Sequence, residues 1–168
     1  MRYQVQLGNE DGSGFVTKYN LATRTRYRDG ALNISSRCEY GCRALIELAR
    51  NERSDRPITA ETIAERWHIP EQFLIHVMLQ LKHAGLVRSV RGAQGGYLLA
   101  RPAHAITLLD AVSAIDGPIM AALPVQDDVA ETLAPFWAEV GGRIESALRA
   151  TTIRAVCDTI STGPMFYI

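Results

Sequence analysis

The sequence predicts a mainly α-helical chain carrying one two-stranded hairpin, and three observations predict it. Apolar residues recur at helical spacing in five separate stretches between Ser35 and Leu148. One glycine-rich segment, Gly92-Ala93-Gln94-Gly95-Gly96, lies between two short alternating runs. The last helical stretch carries an apolar stripe from Val129 to Leu148, too long and too apolar for a solvent-exposed arm. The chain has 168 residues, 47% hydrophobic and 21% charged, which argues for a packed core of one ordinary domain, or a small domain plus an arm. No apolar run approaches the roughly 18 residues of a membrane span. The first thirty residues hold no signal-peptide core. Three cysteines without an export signal read as thiols in the cytoplasm rather than a disulfide frame.

Residues 1–31 read as a poorly ordered extension. A weak alternation at Tyr3, Val5 and Leu7 leads into a glycine-bearing and then Arg/Thr-rich stretch without helical period. Its Arg24, Arg26 and Arg28 could meet phosphates, or the leader could have no role. A first helix is expected over 36–51, with Ser35 or Ser36 as cap, Glu39 in its first turn, and Tyr40, Ala44, Leu45, Leu48 and Ala49 inward. Thr59 caps a short second helix with Ile63, Ala64 and Trp67 inward, broken at His68-Ile69-Pro70. A third runs over 71–84, with Leu74, Val77, Met78 and Leu81 on one face and Gly85 as its stop. Two helices across a three-residue break have helix-turn-helix spacing, which many buried helical hairpins share.

The runs Leu86–Arg91 and Tyr97–Arg101 then alternate as strands around the glycine-rich tip. A hairpin directly after the second helix of a helix-turn-helix is a wing, so residues 32–103 are expected to form a winged helix-turn-helix domain. The glycine tip lacks the Gly-Lys-Ser/Thr ending of a phosphate-binding loop. It serves either as a tight turn or as a place where backbone approaches a sugar-phosphate edge with Arg91 beside it. Residues 104–168 are expected to supply a short helix capped by Thr107, a loop over 118–128, and a long dimerisation helix. The seam would be Leu133, Phe136, Trp137, Val140, Ile144 and Leu148, with Pro135 either kinking the helix or marking its start. Packing within one subunit would bury the same residues, but the other helices offer little surface to cover them.

Net charge is zero, with 18 basic and 18 acidic residues, and that sum hides a segregation. Residues 31–103 hold ten basic and seven acidic groups, whereas residues 104–168 hold three and eight. No acid occurs between Glu71 and Asp110, an interval with Lys82, Arg88, Arg91 and Arg101. A local run of one sign is the footprint of a polyanion site or of a solvated basic face.

From Ile34 to Pro118 the chain resembles the Rrf-two family of winged-helix transcription regulators, the IscR-, NsrR- and CymR-like proteins. The resemblance rests on Ile34-Ser35-Ser36, Glu39-Tyr40, Ile63-Ala64-Glu65-Arg66 and the run from Lys82 to Gly92. Gly95-Gly96-Tyr97, Leu99-Ala100-Arg101-Pro102, Ile106-Thr107-Leu108 and Asp116-Gly117-Pro118 complete it. It implies that members begin near Leu32, leaving the leader outside the shared plan. It also implies that the third helix lies in the major groove, with Pro70, Gln72, Phe73 and Ile75 toward base edges. Gln72 stands where the family has a small hydroxyl residue, and can pair with adenine. Ile75 stands where one branch has an acidic residue that reads cytosine, and can meet a thymine methyl instead. Arg91 matches the arginine that enters the minor groove. Thr59, Arg88 and Ser89 would hold phosphates. His76 and Gln94, on the same helix and wing tip, complete the candidate DNA-binding set.

The family's best-known sensor is an iron–sulfur cluster held by three cysteines between the fourth helix and the dimerisation helix. Residues 118–135 contain no cysteine here, so no cofactor and no metal are expected. Glu39 matches a position where some members supply a carboxylate ligand, and reads here as a helix N-terminal charge. Cys38 and Cys42, one turn apart on the first helix, could sense redox state or bind metal, or simply pack. The expectation is a cytoplasmic, homodimeric repressor on a pseudo-palindromic operator, with double-stranded DNA and an unidentified small-molecule or protein effector as partners. Two alternatives are a redox sensor using Cys38 and Cys42, and a winged-helix protein-interaction module without DNA binding. No nucleophile–base pair or carboxylate dyad points to an enzyme.

Overall fold

The computed structural model describes residues 34–92, 94–119 and 127–162, all within one unit, Ile34–Ile168. The leader with its weak alternation and three arginines, and most of the loop expected over 118–128, lie outside the described residues. The elements are α1 (Ser36–Arg50), α2 (Ala60–Trp67), α3 (Glu71–His83), β1 (Val87–Val90), β2 (Gly96–Leu99), α4 (Leu108–Ile115), α5 (Asp128–Ala150) and α6 (Ile153–Thr162). Single 3-10 turns sit at Glu52–Ser54 and Ala103–Ala105.

Helix α1 is the centre of the core. Ser35 caps it, accepting from Cys38 N at 3.0 Å, and Glu39 in the first turn pairs with Arg43 at 2.9 Å. Six successive residues, Ala44 to Ala49, are buried, because α3, α4, α6 and β2 pack around this helix. The charged member of that run is Glu47, which is 2% exposed. It accepts hydrogen bonds from the Arg66 guanidinium and, at 3.2 Å, from Trp67 Nε1. A buried carboxylate is tolerated only when paired in this way. The same Trp67 ring lies 5.7 Å from the Arg50 guanidinium carbon. The last turn of α2 is therefore fastened to α1 by charge as well as by Ile63 and Ala64.

Helix α6 completes the core and was not expected. Its Ile153 and Cys157 are buried against α1. The chain reaches it by doubling back at Thr151-Thr152, where Leu108 N donates to Thr151 O at 2.9 Å and Ile153 N donates to Ile106 O at 2.8 Å. Glu52 braces the same corner, accepting from Ala103 N at 2.9 Å and pairing with Arg154 at 2.5 Å. Helix α4 begins in a capping box. Asp110 N donates to the Thr107 hydroxyl at 3.1 Å, and Thr107 N donates back to Asp110 Oδ2 at 2.8 Å. Burial works against charge on Asp110, but the hydrogen bonds from Thr107 and the nearby Arg101 guanidinium outweigh it and hold its pKa below the ordinary value.

Helix α5 runs from an Asp127 cap through Pro135, so of the two alternatives at the proline the start just before it is excluded. The missing N–H leaves the Glu131 carbonyl without its intrahelical partner. Of its residues only Gly141 is buried.

Candidate nucleic-acid interface

Helix α3 divides its sides as its spacing predicts. Leu74, Val77, Met78 and Leu81 are fully buried, while Gln72, Phe73, Ile75 and His76 are exposed near its first turns. The turn before it is tight. His68 ends α2 at φ 51°, Ile69 drops into the core, and Pro70 opens α3. Phe73 keeps 50% of its surface exposed. Its outward group combines an amide, an aromatic, an aliphatic and an imidazole, which suits base edges and thymine methyls.

The wing is an antiparallel pair in register Val87 to Leu99, Arg88 to Leu98, Ser89 to Tyr97 and Val90 to Gly96. Its tip closes through Gly95 N to Gly92 O at 2.9 Å. Gly96 has φ +151°, and a Cβ there would fall 2.5 Å from the Ile58 carbonyl oxygen. Only glycine permits that approach, because β2 pairs with the segment preceding α2. Ile58 N donates to Tyr97 O at 3.0 Å, and Tyr97 N donates to Ile58 O at 2.8 Å. On the other side of the wing, Lys82 Nζ from the last turn of α3 donates to Ser89 Oγ at 2.8 Å. The wing is thus tied to both helices of the helix-turn-helix.

The structure places the remaining candidates as follows. Arg91 and Gln94 are exposed at the wing tip, and Arg91 has neither an ion pair nor a hydrogen bond among the described residues. Arg88 is exposed and lies 3.7 Å from Asp55, a long surface pair that a phosphate could replace. Thr59 is exposed but uses its hydroxyl to cap α2, accepting from Thr62 N at 3.1 Å. Lys82 adds a residue that sequence pattern alone did not place at the wing. Its basic position on α3 was visible in the sequence, but its bond to the wing was not.

On α5, Leu133, Phe136, Trp137 and Val140 are exposed, with Phe136 at 62% and Trp137 at 56%. Ile144 is half-buried, and Leu148 packs against the subunit's own core. The seam expected from sequence therefore divides into an open N-terminal portion and a C-terminal end anchored at home.

A winged helix with these elements matches known regulators. Residues 34–159 match the Rrf2 family, iron-dependent transcriptional regulators. The chain belongs to that family. The transcriptional regulator CymR of Bacillus subtilis is 31% identical over 140 residues, covering 82% of this chain and all of CymR. IscR of Cereibacter sphaeroides is 32% identical over 91 residues, 54% of this chain and 59% of that protein. Among solved structures, CymR, the global cysteine regulator of B. subtilis, superposes with a TM-score of 0.67 at 31% identity, over 77% of this chain and 98% of that one. The IscR of T. potens does so at 0.64 and 30%, over 82% and 95%. The Rrf2 protein described here is a DNA-binding transcriptional regulator rather than an enzyme.

The donor set does not fit the cluster that the resemblance implies. Residues 118–135 offer no thiol, and among the described residues no three His, Cys, Asp or Glu side chains gather as metal ligands. Cys38 and Cys42 lie on α1 and Cys157 on α6. The Cys42 thiol sits one turn from Cys38 on α1, close enough for Cys38 to raise its pKa. That contact, burial, and the carboxylates of Glu39 and Asp116 push the Cys42 pKa far above its ordinary value. Among the described residues no helix is long and apolar enough to cross a membrane.

Proposed function

We propose that this protein is a cytoplasmic repressor that binds a pseudo-palindromic operator as a homodimer, one half-site per subunit. The observation that carries this reading is the unpaired Arg91 at the tip of a wing tied to the helix-turn-helix, beside an α3 whose outward face is uncovered. In this proposal α3 reads the major groove through Gln72, Phe73, Ile75 and His76, and Arg91 and Gln94 address the minor groove. Arg88, Ser89 and the capped start of α2 at Thr59 hold phosphates. The second copy covers Leu133, Phe136, Trp137 and Val140, extending toward Ile144 and Leu148. No iron–sulfur cluster enters the switch at 118–135, and the effector is a small molecule or protein.

The test is operator binding on the protein's own upstream region as salt is raised. About four phosphate contacts predict a loss of roughly 100-fold in affinity between 50 and 200 mM salt. A flat response, or no retardation at low salt, overturns the DNA reading in favour of a winged-helix protein-interaction module. A second reading of the input is thiol-based redox sensing through Cys38 and Cys42, which lie one helical turn apart on α1 with Cys42 half-buried.

A further inference from the structure

Cys38 and Cys42 occupy the first two turns of α1 and take no part in the candidate DNA interface. Cys38 is fully buried, and Cys42 is half-buried and gives access from solvent. Helical register limits what this pair can do. Side chains at i and i+4 hold their Cβ atoms about 5–6 Å apart, whereas a disulfide needs about 3.5–4.5 Å. Closing a sulfur–sulfur bond therefore requires α1 to distort, and its neighbours resist. A Cβ on Gly41, between the two cysteines, would lie 2.2 Å from Ile115 Cδ1, so α1 and α4 are already in close contact. The Ser35 cap also donates to Asp116 Oδ1 at 2.6 Å, fixing the same end of α1 to α4.

A single atom bridging the sulfurs removes the mismatch. Two metal–sulfur bonds of about 2.3 Å span a wider gap than one sulfur–sulfur bond of about 2.05 Å. Ions that demand four donors have no set of three to use among the described residues. Thiolates favour soft cations, Cu(I) among them. We propose that Cys38 and Cys42 form a two-coordinate site for a soft monovalent cation of the Cu(I) class. Binding exchanges two thiol protons for one Cu(I), giving a sulfur–copper–sulfur unit of net charge −1 and two released protons, with no electron transferred. The positive end of α1 offsets that charge against Glu39 and Asp116 nearby.

The experiment titrates the full-length reduced protein anaerobically with Cu(I) against a chromophoric Cu(I) chelator. Wild type should withdraw one equivalent, Cys157→Ser should do the same, and Cys42→Ser should bind roughly 100-fold more weakly or worse. Helical circular dichroism is recorded on each variant so that loss of binding is read only from folded protein, and Cys38→Ala supplies a second folded variant. The proposal is overturned by no uptake in wild type, by undiminished uptake in folded Cys42→Ser and Cys38→Ala, or by loss in folded Cys157→Ser. It is equally overturned if mild oxidation joins Cys38 to Cys42 while the helical signal stays unchanged, which would favour the redox reading. Operator binding in metal-free buffer reports on the DNA proposal separately.

Discussion

Helices α3 and α5 both present large apolar side chains to solvent, yet only α3 has its opposite side filled. Behind Phe73 and Ile75 stand Leu74, Val77, Met78 and Leu81, all fully buried. Behind Phe136 and Trp137 only Gly141 is buried, in a helix of 23 residues. Their outward surfaces therefore mean different things. On α3 the exposed residues are chemically mixed and backed by a complete core. On α5 they are contiguous and apolar, the kind of patch the proposed second copy would cover.

The largest effect should come from charging the open part of α5. Phe136→Glu combined with Val140→Glu should raise the dimer dissociation constant by roughly 10³-fold, at about 2 kcal/mol for each position. Sedimentation should show monomers at micromolar concentration with helical content retained. A variant that stays dimeric would move the seam off α5 and erase the contrast with α3. Arg91→Ala addresses the other region. It should cost about 1–3 kcal/mol of operator affinity, with dimerisation and Tm unchanged, and equal affinity would show that the wing is not docked. The smallest effect is expected at the α4 cap, which belongs to neither surface. Asp110→Asn should lower folding stability by about 1 kcal/mol at neutral pH. Because the folded-state pKa is depressed, this stabilisation is present above the ordinary carboxylate value of 3.8 and is lost as pH falls through the folded value below it. Denaturant titrations of both proteins from pH 7 down through the acid range would detect the convergence.

Local signals carried much of this fold. The caps at Ser35, Thr59 and Thr107, the inward spacing of α3 and the glycines of the wing are properties of neighbouring residues, and each appears where its spacing predicts. Helix α6 escaped because it follows α5 after only Thr151-Thr152, without the glycine or proline that usually announces a break. Its period at Ile153, Val156, Cys157 and Ile160 was a signal that could have found it. Glu47 escaped for a different reason. A carboxylate reads as exposed until its partners are known, and Arg66 lies 19 residues along the chain. The exposed positions on α3 and the wing that are proposed to meet DNA come from pattern and resemblance together. The Lys82–Ser89 and Ile58–Tyr97 links, which set where those residues stand, depend on tertiary approach and left no trace in periodicity.

The Ile58–Tyr97 pairing has a metrical consequence. Backbone bonds to the segment before α2, together with the Lys82–Ser89 bond from α3, set where the wing tip stands relative to the helix-turn-helix. Each added base pair turns the duplex by about 34–36°, and a stitched frame cannot follow that rotation by swinging the wing alone. In the proposed docking an operator is therefore measured as well as spelled. A half-site with correct bases at the wrong interval presents the same letters to a ruler that no longer fits.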